Sequence, residues 1–176
     1  ILTAMSFLIF GLGATILNFG LFPFIKQNKT LCSDIIRNAW RLFINLMVIS
    51  KLIKLDIKKL NKIENKIIVA THPSFIDIVI LISLIPSSIC FVKKELAHNP
   101  ILKNLVTSIF ITNEVELDEL KDKSKKMLDE GFNVIIFPSG IRHRKNEYPK
   151  IKKGAALIAL NAGKNIVPIK MFTSED

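Results

Sequence analysis

From Lys66 to Phe172 five short apolar runs, "KIIVAT", "SSICFVKK", "SIFIT", "NVIIFPSG" and "NIVPIKMF", alternate with longer stretches of helical spacing. Short apolar runs bounded by turn residues read as buried strands, and the stretches between them are long enough for helices. "PSFIDIVILISL" is expected to be a helix opened by Pro73 at its first turn. "NPILKNLV" reads as a short helix. "EVELDELKDKSKKMLDEG" places acids early, lysines late and Gly131 as a stop, as the helix dipole and C-cap preferences favour. "KKGAALIALNAG" completes the series. Such alternation predicts an α/β domain, a sheet with helices packed on it. The chain of 176 residues holds one domain of this kind with a real core.

The N-terminus has a different character. Ile1 to Ile25 contains no charged residue and is long enough to cross the ~30 Å hydrocarbon core of a bilayer. A cleavable signal peptide would have a shorter apolar core and a small-residue cleavage site. A retained membrane helix is therefore expected, with a buried core helix as the alternative. Lys26, Lys29, Arg37 and Arg41 follow it, which puts that flank on the cytoplasmic side of the cell membrane. Next, Ile35, Ile36, Ala39, Trp40, Phe43, Ile44 and Met47 repeat at helical spacing, with Ser33 as a candidate cap. This second helix is apolar enough to lie in the interface or to fold back on the first. The expected organisation is a membrane helix over 1–25, a second, membrane-associated helical segment over 26–60, and the α/β domain over 61–176. The chain stops straight after an apolar segment, so that domain is expected to be incomplete at its C-terminus.

Charge narrows the partners. Twenty-five basic against fifteen acidic residues give +10, which suits anionic lipid headgroups, phosphorylated small molecules or nucleic acid. Lys51, Lys54, Lys58, Lys59, Lys62 and Lys66 form either a solvated face or a collective attraction to lipid. No aromatic interleaving supports nucleic-acid binding, since Trp40 and Tyr148 stand alone of their kinds. Cys32 and Cys90 lie far apart and show no metal spacing, so neither a disulfide framework nor a zinc site is expected.

In open α/β sheets function gathers in loops at the carboxyl ends of the strands. "THPSFID", "ITNE" and "FPSGIRHR" fall at such ends. His72 precedes Pro73, which pushes its backbone out of the α region and places it at the loop-to-helix junction. From there its ring can fold toward Asp77, which can accept from one ring nitrogen and raise the basicity of the other. The pair is either an ordinary turn and cap or a general base with its orienter. Ser74 lacks the strained turn of a hydrolase nucleophile and reads as a hydrogen-bonding residue at the helix start. After "FP", Ser139 and Gly140 let the backbone turn tightly. Arg142, His143, Arg144 and Lys145 follow, forming either a solvated basic loop or a phosphate cradle.

Together these stretches resemble the glycerolipid acyltransferase family. Its Asn-His-x4-Asp motif is matched by Thr71, His72 and Asp77, and its Lys-x-Glu-Leu stretch by "KKELAHNP". Its Phe-Ile-Asp-Arg stretch corresponds to "IFITNE", and Phe-Pro-Glu-Gly-Thr-Arg to Phe137, Pro138, Gly140 and Arg142. A Lys-x-Gly-x-Ala stretch and Val167-Pro168-Ile169 complete the order. The resemblance implies an α/β fold with a mixed sheet, and transfer of an acyl group to a hydroxyl from acyl-CoA or acyl carrier protein. No cofactor or metal beyond that co-substrate is implied. His72 would be the base and Asp77 its partner, with Thr71, Ser74, Lys94, Thr112, Pro138, Ser139, Gly140 and Arg142 toward the substrates. The expected acceptor is a lysophospholipid such as 1-acylglycerol-3-phosphate. Three departures qualify this. The motif-two arginine, which in the family helps hold the acceptor phosphate, is replaced by Asn113; Ser139 and Ile141 stand for Glu and Thr; Thr71 stands for Asn. These point to a variant bacterial branch, with a different hydroxyl acceptor or a non-catalytic lipid-binding relative as the rival readings.

Overall fold

Five strands form one sheet: β1 (Ile67–Ala70), β2 (Ser88–Val92), β3 (Phe110–Thr112), β4 (Asn133–Ile136) and β5 (Ile166–Ile169). This is seen in a computed structural model that describes residues 2–57, 62–72, 74, 76–92, 98, 103–112, 116–140 and 150–172. The strand order is β3-β2-β4-β1-β5. Every described pairing is parallel, which corrects the expectation of a mixed sheet. The reason lies in the connections. Each strand reaches the next through a helix, and a helical crossover returns the chain to the same end of the sheet.

Those helices are α4 (Asp77–Leu84), α5 (Lys103–Ile109), α6 (Leu117–Asp129) and α7 (Gly154–Ala162). α4 and α5 carry the chain one way across the strand order, α6 and α7 the other. Right-handed crossovers therefore place the two pairs on opposite faces. α6 packs on α7, while α4 and α5 both pack on α3 (Lys29–Ile49). A sheet covered on both faces needs strands apolar on both sides. Ile67, Ile68, Ile89, Val134 and Ile135 are accordingly buried. Cys90 is free and enclosed in the same core, where burial pushes its thiol up to about 12.

Local boundaries differ from the sequence reading at three points. α4 begins at Asp77, whose carboxylate draws in the preceding loop, while Pro73, the expected helix opener, lies outside the described residues. α3 is capped by Asn28, whose Oδ1 accepts from the Leu31 N–H at 3.0 Å, while Ser33 is buried inside the helix. "SIFIT" divides, with Ser108 and Ile109 ending α5 and only Phe110–Thr112 in the strand. Gly131, at φ 91°, follows α6 as expected.

The uncharged N-terminal stretch is helical but divided. α1 (Leu2–Ile16) leads into a single π-turn (Leu17–Leu21) and then α2 (Phe22–Ile25). Pro23 has no N–H to give to the Phe19 carbonyl four residues back, so the α ladder cannot run through it. One residue earlier, the Phe22 N–H bonds to the Leu17 carbonyl rather than to Asn18. The released Asn18 carbonyl accepts from Asn104 Nδ2 of α5 at 3.0 Å. Among the described residues no helix is long and apolar enough to cross a membrane.

Candidate active site

β1 and β4 are neighbours, with Val69 opposite Ile136, so the residues leaving both strands emerge side by side. His72 and Phe137 meet there. Their rings stack with centroids 4.3 Å apart at 25°. The aromatic face fixes one side of the imidazole.

The other constraint is Asp77. It is the first residue of α4 and almost fully buried, at 3% exposure. Its Oδ2 accepts from the Ser74 N–H at 2.7 Å and lies 3.0 Å from His72 Nδ1. A carboxylate can only accept, so the shared proton sits on Nδ1 and Nε2 is left with a free lone pair. Ser74 Oγ meanwhile accepts from the Ile76 N–H at 3.1 Å, which occupies it in shaping the loop. Behind this loop Val79 and Ile80 pack with Phe43, Ile44 and Met47 of α3. The histidine ring itself stays partly open to solvent, its side chain 20% exposed. An oriented imidazole, one nitrogen tied and one reachable, can take a proton from a hydroxyl.

Thr71 is held by the segment after β5. Its N–H donates to Ile169 O, its hydroxyl donates to Met171 O at 3.0 Å, and it accepts from the Met171 N–H at 2.7 Å. The hydroxyl keeps one lone pair for any other partner.

Beyond β4 the chain turns at once. The Gly140 N–H donates to Phe137 O at 2.9 Å, closing a four-residue turn through Pro138 and Ser139. Gly140 sits at φ 67°, in the left-handed region where a side chain is strained. The Lys152 N–H donates to Pro138 O at 2.9 Å, tying the start of α7 to this turn. Ser139 is buried.

The structure thus brings Thr71, His72, Ser74, Asp77, Pro138, Ser139 and Gly140 to the adjoining carboxyl ends of β1 and β4. Thr112 ends β3 as backbone, while Lys94 and Arg142 lie outside the described residues. Among the described residues no three His, Cys, Asp or Glu side chains gather as a metal site. The sequence reading left Phe137, Met171 and Lys152 without a site role. Of these Phe137 carried a signal as an aromatic ending a strand beside a Pro-x-Gly turn, and Lys152 as the lysine of the Lys-x-Gly-x-Ala stretch.

A family model described as Acyltransferase matches residues 53–172. The chain is 34% identical over 116 residues to the 1-acyl-sn-glycerol-3-phosphate acyltransferase of Helicobacter pylori, covering 62% of this chain and 49% of that protein. It is 27% identical over 121 residues to human 1-acyl-sn-glycerol-3-phosphate acyltransferase beta, covering 65% and 44%. The match thus spans about half the length of these curated relatives. Among solved structures, the 1-acyl-sn-glycerophosphate (LPA) acyltransferase PlsC of Thermotoga maritima superposes with a TM-score of 0.64 at 19% identity. That superposition covers 94% of this chain and 72% of that one, a likeness of fold.

Proposed function

This chain belongs to the glycerolipid acyltransferase family, and we propose that it transfers a fatty acyl group from a thioester to the hydroxyl of a lysophospholipid such as 1-acylglycerol-3-phosphate. The observation that carries this reading is the Asp77–His72–Phe137 arrangement at the adjoining ends of β1 and β4. In the proposed mechanism His72 Nε2 takes the proton from the acceptor hydroxyl as its oxygen attacks the thioester carbonyl. The tetrahedral intermediate then expels the thiolate, which recovers the proton from the imidazolium and leaves as free thiol. Asp77 holds the Nδ1–H tautomer and offsets the charge that forms on the ring. Ser74 and Thr71 act by shaping the loop. Pro138, Ser139 and Gly140, with Lys94, Thr112 and Arg142, are assigned to the substrates. The acyl thioester, on CoA or on acyl carrier protein, is the only co-substrate the scheme uses.

Membrane attachment is part of the proposal. Leu8, Leu12 and Ile16 recur every fourth residue on α1 and are exposed, as are Phe24, Leu42 and Ile49. An apolar stripe of this extent beside Lys26 and Arg41 suits the surface of an anionic bilayer, with the catalytic domain on the cytoplasmic face.

The test is acyl transfer by detergent-solubilised protein, with labelled acyl-CoA or acyl carrier protein and lysophosphatidic acid. His72→Ala is expected to abolish product while leaving the fold intact, because the side chain lies at a loop edge. Turnover equal to wild type in His72→Ala would remove the base. A second reading, a different hydroxyl acceptor, is favoured by one observation: Asn113 and Glu114 follow β3 where the family carries an arginine. A folded wild type that makes no phosphatidic acid with either donor would move the assignment to that reading.

A further inference from the structure

Lys152 is anchored at the turn that follows β4, yet its ammonium has no carboxylate or other partner among the described residues. Its N–H is fixed to Pro138 O at 2.9 Å. Its side chain then lies back over Gly140: a Cβ placed on that glycine would sit 3.3 Å from Lys152 Nζ and 3.8 Å from its Cε. The glycine thus does two things, adopting φ 67° and leaving room for the lysine stem. Gly140 closes its turn against Phe137, and Phe137 stacks on His72. The ammonium therefore lies over the turn whose first residue stacks on His72, and Lys152 is exposed. Lys170, after β5, instead points its ammonium at the Phe172 ring, 4.6 Å from the centroid. The segment leaving β3, Thr112-Asn113-Glu114, brings an acid and no base in sequence.

Resting on the acyl-transfer reading above, we infer that the Lys152 ammonium is a phosphate ligand of this site, seated over the Gly140 turn. A compact ammonium on a flexible stem acts as a point charge toward phosphate oxygens, without the paired geometry of an arginine. Two phosphates could lie there, that of the acceptor or those of the CoA donor. Their shared chemistry is a phosphate monoester or anhydride oxygen bearing negative charge.

The experiment compares wild type, Lys152→Gln and Lys152→Arg as full-length protein in detergent. Steady-state transfer is measured with lysophosphatidic acid or monoacylglycerol as acceptor, and with acyl-CoA or acyl carrier protein as donor. Equilibrium binding of lysophosphatidic acid and monoacylglycerol is measured alongside. Lys152→Gln is expected to raise the KM of one phosphate-bearing substrate roughly tenfold with kcat nearly unchanged, the pattern of lost uniform binding. Lys152→Arg should restore it. A rise confined to lysophosphatidic acid, with monoacylglycerol unaffected, assigns the ammonium to the acceptor phosphate; a rise confined to acyl-CoA assigns it to the donor. If neither KM moves, or Lys152→Arg fails where Lys152→Gln fails, the inference is overturned. If wild type has no transferase activity, the acyl-transfer reading falls and binding decides the inference. It survives if wild type prefers lysophosphatidic acid to monoacylglycerol and Lys152→Gln erases that preference. It falls if the preference is absent or unchanged.

Discussion

Asp77 shows how much one buried carboxylate organises. Its Oδ2 takes the Ser74 N–H and faces His72 Nδ1, so a single atom shapes the loop and sets the imidazole tautomer. Asp77→Asn keeps the size and can still accept from Ser74 through its oxygen. It no longer places a negative charge beside Nδ1. The expected result is a fall in kcat of roughly 10²- to 10⁴-fold with little change in Tm, read by steady-state transfer and thermal unfolding. A Tm that dropped with kcat unchanged would make Asp77 a loop residue only. Asn133 has comparable reach away from the site. Its side chain accepts from the Lys66 N–H and donates to the carbonyls of Ile63 and Pro86 at 3.2 and 2.9 Å. The residue is buried, so Asn133→Ala leaves three backbone groups without their partner, the Ile63 carbonyl in a buried position. A loss of about 3 kcal/mol is expected in urea unfolding. A loss below about 1 kcal/mol would mean that the surrounding loops find other partners.

At the scale of elements, the N-terminal helix is broken by a proline and then fastened where it breaks. Phe22 bonds back five residues to Leu17, and the carbonyl it would otherwise have used is taken by Asn104 of α5. α5 runs directly into β3, so this bond links the apolar N-terminal helices to the sheet. Asn104→Ala is expected to cost about 1–2 kcal/mol. The amide of Phe22 should also exchange faster, because the Asn18 carbonyl, no longer held by Asn104, can then compete for it. Unchanged exchange at Phe22 would mean that Pro23 alone maintains the π-turn. The same elements explain why α3 carries apolar residues on more than one side. Ile36, Phe43, Ile44 and Met47 face the domain, while Leu42 and Ile49 face outward.

On the whole-molecule scale, a basic surface and an exposed apolar stripe coexist in one chain. Burying a leucine or phenylalanine side chain contributes about 1.5–3 kcal/mol. Leu8→Glu and Phe24→Glu should therefore each lower partitioning onto anionic vesicles by about tenfold or more, measured by sedimentation. Raising salt should weaken binding through the screened lysines and arginines but leave the apolar part. Binding indifferent to both substitutions would move the membrane contact to another face.

The chain's own order determined a good deal. Five apolar runs separated by helical stretches specify strands and crossovers, because a strand needs a short apolar run and a crossover needs length; all five strands fall within the runs read for them. His72 and Asp77 were legible as a pair because a residue before a proline is disfavoured in the α region, which predicts the histidine off the helix that Asp77 begins. Tertiary structure decided the rest. That Phe137 lies beneath His72 depends on β1 and β4 being neighbours although more than sixty residues separate them. The Thr71–Met171 hydrogen bonds depend likewise on β1 lying against β5. The division at Pro23 was available in the sequence as a missing N–H, but the partner for the freed carbonyl was not. Local sequence constrains dihedrals and apolar periodicity; which distant backbone or ring meets a given side chain is set by strand order, and strand order is a property of the packed whole.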